Sequence, residues 1–324
     1  MLVKMYNETH LNYSKNASNL FEKKSLFVLS TWTLRVVFGL LACLTNCFYL
    51  ILTIYEKSIF KSQKIVAVNA AGCIILGIGL IEAYLLRIVG YQVPGVSTPF
   101  HCIFANAHPT MYSLGELLTA YSLLFVSIDR LIAIRQTKLL KAVNETSRNY
   151  MLIACIILSL IDLICMWISA YLLRMKTISA ACYRSHVVGR SYYLFHFSCC
   201  ILLAYCSLCF YIIGLIQLKS AFKNRLKAAN PLIQKLRLNR ESLVTKKTFI
   251  LIGFTVLLQG IPNTLRIYFF LNKNHSWISD IALTINAFAL SLYAIYYIVT
   301  SDIAKSVKKK VTSTFHKNSV TPQF

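Results

Sequence analysis

Val36 to Ile54 reads VVFGLLACLTNCFYLILTI, nineteen residues without a single charge. A bilayer's hydrocarbon core, roughly 30 Å thick, takes about 20 predominantly apolar residues to cross as a helix, so this run predicts a membrane span. Six more stretches of the same kind follow: Ile65–Leu86, Ile103–Ile128, Tyr150–Leu173, Ser191–Leu218, Thr248–Leu271 and Asp280–Thr300. Each is too long for an outer-membrane strand and lacks its alternation. Lipid leaves the backbone only helices or closed barrels in which to pair its polar groups. The expected fold is therefore all-α, an integral membrane seven-helix bundle over 27–300, with an extracellular glycosylated tail over 1–26 and a cytoplasmic tail over 301–324.

Composition agrees, since 57% of the 324 residues are hydrophobic and 14% charged, too apolar a mixture for the surface of a soluble domain. The formal charge of +23 raises nucleic-acid binding as an explanation. The cations lie between the apolar runs, however, and no nucleic-acid partner is expected. Met1–Lys24 is polar, with no apolar stretch ahead of a small-residue cleavage site, so the first span is expected to serve as its own insertion signal.

Cytoplasmic loops retain excess Lys and Arg. The segments after spans one, three and five, with the tail after seven, hold 22 basic residues, against 10 on the other set. This predicts a cytoplasmic carboxyl terminus, an extracellular amino terminus and an odd number of crossings. Sequons at Asn7, Asn12 and Asn16, and at Asn274 between spans six and seven, fit glycosylation on that outer face. Lys23 and Lys24 beside the first span, and a sequon at Asn144 in a loop assigned to the inside, pull the other way.

The third span ends in Ser127-Ile128-Asp129-Arg130-Leu131-Ile132, an acid and an arginine at the inner membrane edge ahead of a basic loop. Asn46 sits midway along span one, Pro262 inside span six, and Tyr296 and Tyr297 at the inner end of span seven. Cys102 opens span three and Cys182 lies in the second outer loop. Together these resemble the marks of rhodopsin-like G-protein-coupled receptors. The departures point to a divergent branch: Ile74 stands where most members carry Asp, Gly260 where Trp precedes the sixth-span proline, and Tyr293 and Ala294 where the seventh-span proline is expected. Cys102 lies 28 residues before Arg130, about three more than usual. The chain looks like the divergent nematode serpentine chemoreceptors. The likeness covers nearly the whole chain in architecture and a handful of residues in motif.

The resemblance implies a plasma-membrane chemosensory receptor that binds an extracellular small molecule or peptide and activates a heterotrimeric G protein. It implies a Cys102–Cys182 disulfide. It also implies a switch at Asp129, Arg130, Pro262 and Tyr296, in which an Asp129–Arg130 ion pair holds the inner ends of spans three and six at rest and releases the arginine on activation. A solvated interfacial Arg130, obeying the same charge bias, needs no such partner.

Ionisable groups inside spans are costly and functional by default. Glu116 lies 14 residues before Arg130, roughly 21 Å along a helix and so in the outer half of the membrane. Glu82, His108, Arg87 and Arg266 lie at similar or shallower depths, and Glu116, His108, Glu82 and Arg266 are candidate pocket residues. Equally, Glu82, Arg87 and Arg266 can reach the headgroups, with Glu116 protonated or paired within the bundle. Asp162 is a second deep acid with no evident role. The other nine cysteines lie within spans as small apolar residues.

Lys219–Lys247 carries nine basic residues against Glu241, a segment suited to a G protein and to anionic membrane lipid alike. The carboxylates Glu116 and Asp162 keep a secondary transporter as the main rival. No pore-loop filter suggests a channel, and the seventh span has no Lys to hold retinal. The one CxxC spacing, Cys206–Cys209, lies within an apolar span and suggests no metal, and the seven His residues form no constellation, so no enzyme, metal or cofactor is expected.

Overall fold

A computed structural model describes the backbone of residues 2–55, 57–89, 96–135, 143–225, 249–250, 253, 256–272 and 277–300. Side chains are described from residue 26 onward within most of these segments, so the sequons at Asn7, Asn12, Asn16 and Asn274 and the tail 301–324 lie outside the described side chains. The long helices are α1 (Leu2–Tyr55), α2 (Lys57–Val89), α4 (His108–Arg135), α5 (Val143–Leu172), α7 (Arg190–Arg225) and α9 (Trp277–Thr300). Shorter pieces are α3 (Pro99–Ala105), α6 (Arg184–Val187), a π-helical turn (Val256–Gly260) and α8 (Ile261–Leu271). One antiparallel pair, β1 (Val96–Ser97) on β2 (Ile178–Ser179), ties the α2–α3 and α5–α6 connections together.

Among the described residues, six helical segments of 20 to 31 residues are long and apolar enough to cross a membrane. They match predicted spans one to five and seven. Of predicted span six, the π-turn and α8 are described, with residues 251, 252, 254 and 255 outside the described set. The chain is an all-α protein of membrane-embedded character. The boundaries differ from expectation at two places. The apolar part of α1 extends past the uncharged run to include Arg35, because that arginine is buried and paired with Asp280 inside the bundle and does not end the span. Predicted span three divides into α3 and α4: Asn106 is extended at φ −131°, and Pro109, the second residue of α4, favours a new helical start. Cys102 therefore sits on α3, and the break takes up part of its long spacing to Arg130.

The packing order closes on itself. α1 contacts α2 and α9, α2 contacts α4, α4 contacts α5 and α7, α7 contacts the π-turn and α8, and α8 contacts α9. Lipid tails give helices no hydrophobic reason to associate, so close backbone approach and buried polar bonds take over. At the α1–α2 crossing a Cβ on Gly39 would lie 2.9 Å from the Gly77 carbonyl oxygen, and at α2–α4 one on Gly115 would lie 2.9 Å from that of Gly72. Asn46 Nδ2 donates to the Leu290 carbonyl at 3.0 Å, joining α1 to α9, and Asn69 Nδ2 donates to Ser122 Oγ at 2.9 Å, joining α2 to α4. Leu44 and Ile51, Ile157, Ile161 and Ile164, and Leu202 and Ile216 are exposed on the perimeter, while Asn46, Ser122, Asp162, His196 and Ser291 are buried. Polar inside and apolar outside is the distribution that lipid selects.

The π-turn lies directly ahead of Pro262, the second residue of α8, which has no N–H to return to the preceding turn. The proline identified in the sequence thus coincides with the irregular part of this helix.

Candidate functional site

Two ends of the bundle hold the candidate residues. At one, Cys102 of α3 and Cys182 are disulfide-bonded, with Cα atoms 5.7 Å apart. Around the bond, Ile103, Met166, Ile178, Val187 and Phe197 form a buried cluster. The segment between α5 and α7 is thereby fastened onto the bundle, and Arg184, two residues after Cys182, enters it with its side chain only 3% exposed.

Arg184 Nη1 pairs with Glu116 Oε2, and its Nη2 donates to Ser113 Oγ at 3.1 Å. Burial opposes the charge on Arg184, but the Glu116 carboxylate outweighs it and holds the guanidinium pKa above the ordinary arginine range. From α7, His196 Nε2 lies 3.0 Å from Glu116 Oε2 and its Nδ1 lies 2.9 Å from Asp162 Oδ2. Asp162 also accepts from Tyr192 Oη at 2.6 Å and from Ser113 Oγ at 3.2 Å. One network thus joins α4, α5, α6 and α7. A neutral imidazole has one N–H, whereas two carboxylates flank this ring. The network is fully bonded only when it holds an additional proton, on the imidazole or on a carboxyl.

Beside the network lies a cavity of about 690 Å³, within the range of small-molecule sites, about 300–1,000 Å³. Glu116, Arg184, Arg266, Tyr112 and Trp32 line it together with the Arg35–Asp280 pair. That pair, 2.9 Å between Arg35 Nη2 and Asp280 Oδ1, joins α1 to α9, while Arg35 Nη1 donates to Tyr84 Oη of α2 at 2.8 Å. Arg266 Nη1 approaches Glu116 Oε1 at 3.9 Å, and its guanidinium carbon stands 4.2 Å over the Phe197 ring.

The structure thus brings Glu116 and Arg266 to the cavity and leaves Glu82 and His108 outside its lining. Glu82 Oε1 accepts from the Ala107 N–H at 2.8 Å, and His108 Nε2 donates to the Cys182 carbonyl at 3.2 Å. Both brace the start of α4 against its neighbours. Arg87 is also turned inward, 8% exposed, where the sequence allowed it a headgroup position.

At the opposite end of α4, Arg130 Nη2 stands 3.6 Å from Asp129 Oδ2. Asp129 is held more closely by Arg148 of α5, with Nε–Oδ1 at 2.7 Å and Nη2–Oδ2 at 3.2 Å. The aspartate is a shared acceptor between α4 and α5, a latch the resemblance did not imply. Any contact of Arg130 with residues 226–248 lies outside the described residues. Tyr296 packs beside Tyr297, whose ring is 5.5 Å from that of Tyr49 on α1.

Arg35, Arg148, Ser113, Tyr192 and His196 were not singled out as site residues from the sequence. His196 carried a usable signal, an ionisable side chain deep in an apolar span and one helical turn after Tyr192. Neither a protein-family model nor a curated protein matches this chain. Among the described residues no group of three or more His, Cys, Asp or Glu side chains is placed to hold a metal ion.

Proposed function

We propose that this chain is a seven-span G-protein-coupled receptor of the plasma membrane, chemosensory in character, with its amino terminus outside. It takes a small molecule or peptide in the cavity at the disulfide end and engages a heterotrimeric G protein at the Asp129–Arg130 end. The observation that carries this reading is α4 itself. One helix lines a ligand-sized cavity through Tyr112 and Glu116 and ends in an acid–arginine pair latched to its neighbour.

A ligand that moves Glu116 acts on the same rigid rod that presents Arg130. Coupling of about 1–3 kcal/mol between the two ends suffices for a switch, and reciprocity requires the G protein to raise agonist affinity by the factor through which agonist raises G-protein affinity. Asp129→Asn frees Arg130 and Arg148 together and is expected to raise basal signalling. Arg130→Ala is expected to abolish signalling while leaving ligand binding in place. Cells carrying a G-protein reporter, screened with odorants and peptides, test this. An Arg130→Ala protein that signals like the parent to an activating ligand sinks the mechanism.

The Glu116–His196–Asp162 chain favours a second reading, a proton-coupled secondary transporter. That reading expects solute uptake that is lost in Glu116→Gln and His196→Gln and indifferent to Arg130→Ala. Uptake assays on the same cells separate the two.

A further inference from the structure

Four arginines line the cavity, Arg35, Arg87, Arg184 and Arg266, against two carboxylates, Glu116 and Asp280. Asp280 serves Arg35 and Glu116 serves Arg184. Among the described residues the one carboxylate within 4.0 Å of Arg266 is Glu116, at 3.9 Å. Among the described residues Arg87 has no carboxylate within 4.0 Å, and its Nε is buried with no hydrogen-bond partner. The side chain is more than nine-tenths buried and lies between the rings of Tyr84 and Tyr183, 4.7 and 4.6 Å from their centroids. Ring faces offset part of the loss of water around a cation. They supply no acceptor for the guanidinium N–H groups, and a buried cation without one is costly. Arg35 also stands over the Tyr84 ring, 4.8 Å from its centroid, so it and Arg87 meet at one wall of the cavity that Arg266 also lines.

We propose that this cavity binds an organic anion, an acidic head group on an apolar body, with Arg87 and Arg266 taking the head. Trp32, Phe269 and Phe270 supply apolar wall for the body. Guanidinium forks match a carboxylate or phosphate in charge and geometry, and the anion supplies the acceptor that Arg87 lacks. The inference deepens the receptor reading by naming its ligand class, and it rests on that reading for the ligand's signalling role.

The full chain is purified into phosphatidylcholine nanodiscs. Affinity and thermal stabilisation are measured for 2-naphthoate against 2-naphthamide and for decanoate against decanol. At least one acid is expected to bind about tenfold or more tighter than its neutral counterpart. Arg87→Gln is expected to remove that preference, and Arg87→Lys to keep part of it. Arg266→Gln provides the same test should Arg87→Gln fail to fold. Neutral probes that bind as well as the acids, no binding by either acid, or an acid preference that survives a folded Arg87→Gln or Arg266→Gln protein overturns the proposal. Weakened acid binding when phosphatidylglycerol is added supports the site and assigns the anion to a lipid headgroup; unchanged binding assigns it to a soluble acid. Binding is read without a G protein. Acid binding with a silent reporter defeats the receptor reading alone, and agonism by neutral ligands alone defeats the anion proposal alone.

Discussion

Glu116 receives Arg184 from the segment between α5 and α7, His196 from α7 and, at longer range, Arg266 from α8. A carboxylate so placed organises charges that would otherwise repel one another in a low-dielectric interior. Removing one member of a buried pair strands the other, typically at about 3–5 kcal/mol, whereas removing both costs less. Glu116→Gln and Arg184→Gln should each lower the melting temperature in micelles. The double variant should lose less than the sum, with a coupling of about 1 kcal/mol or more. Strictly additive losses would show that the pair contributes nothing of its own.

The elements are held by contacts at which small size matters. A side chain at Gly115 drives into the α2 backbone, since even a Cβ there lies 2.9 Å from the Gly72 carbonyl oxygen and 2.9 Å from Leu76 N. Gly115→Val should destabilise the bundle by about 1–3 kcal/mol or more through overpacking. Gly260→Ala, whose Cβ meets nothing nearer than 3.8 Å, should be close to neutral. Equal melting temperatures for the two variants would contradict the packing described. The Cys102–Cys182 bond acts at the same scale, because it fixes the chain that inserts Arg184. Cys102→Ser should cost about 2–5 kcal/mol and reduce cell-surface expression. Mass spectrometry of the folded parent that finds both thiols free would contradict the assignment.

For the molecule as a whole, the ring of helices defines two unlike ends, and the proposed receptor orientation rests on the sequence's charge bias of 22 against 10 basic residues. An epitope after Asp302 should be protected from protease in sealed right-side-out vesicles, and one before Ser25 should be cut. Cleavage of both, or protection of both, would place the termini on one face and remove the odd span count on which the receptor reading depends.

Most of the bundle could be read from the chain because lipid is a strict solvent. A stretch such as Val36–Ile54 has to pair its backbone within itself, and only a helix of about this length does so. The Cys102–Cys182 pair was also reached from the sequence, through a resemblance carried by a few residues. Which helix faces which was not legible. Arg35 finds Asp280 across 245 positions and Glu116 finds His196 across 80, and Asp129 takes Arg148 in addition to its neighbour. Hydrophobic runs fix that a segment is inserted but leave its rotation about its own axis open. Rotation is set by where glycines let backbones touch and where buried polar groups meet. The sequence alone therefore determined a set of apolar helices long enough to cross a membrane, whereas the tertiary structure decided that four arginines and two carboxylates share a cavity, because only packing sets the distances through which charges choose partners.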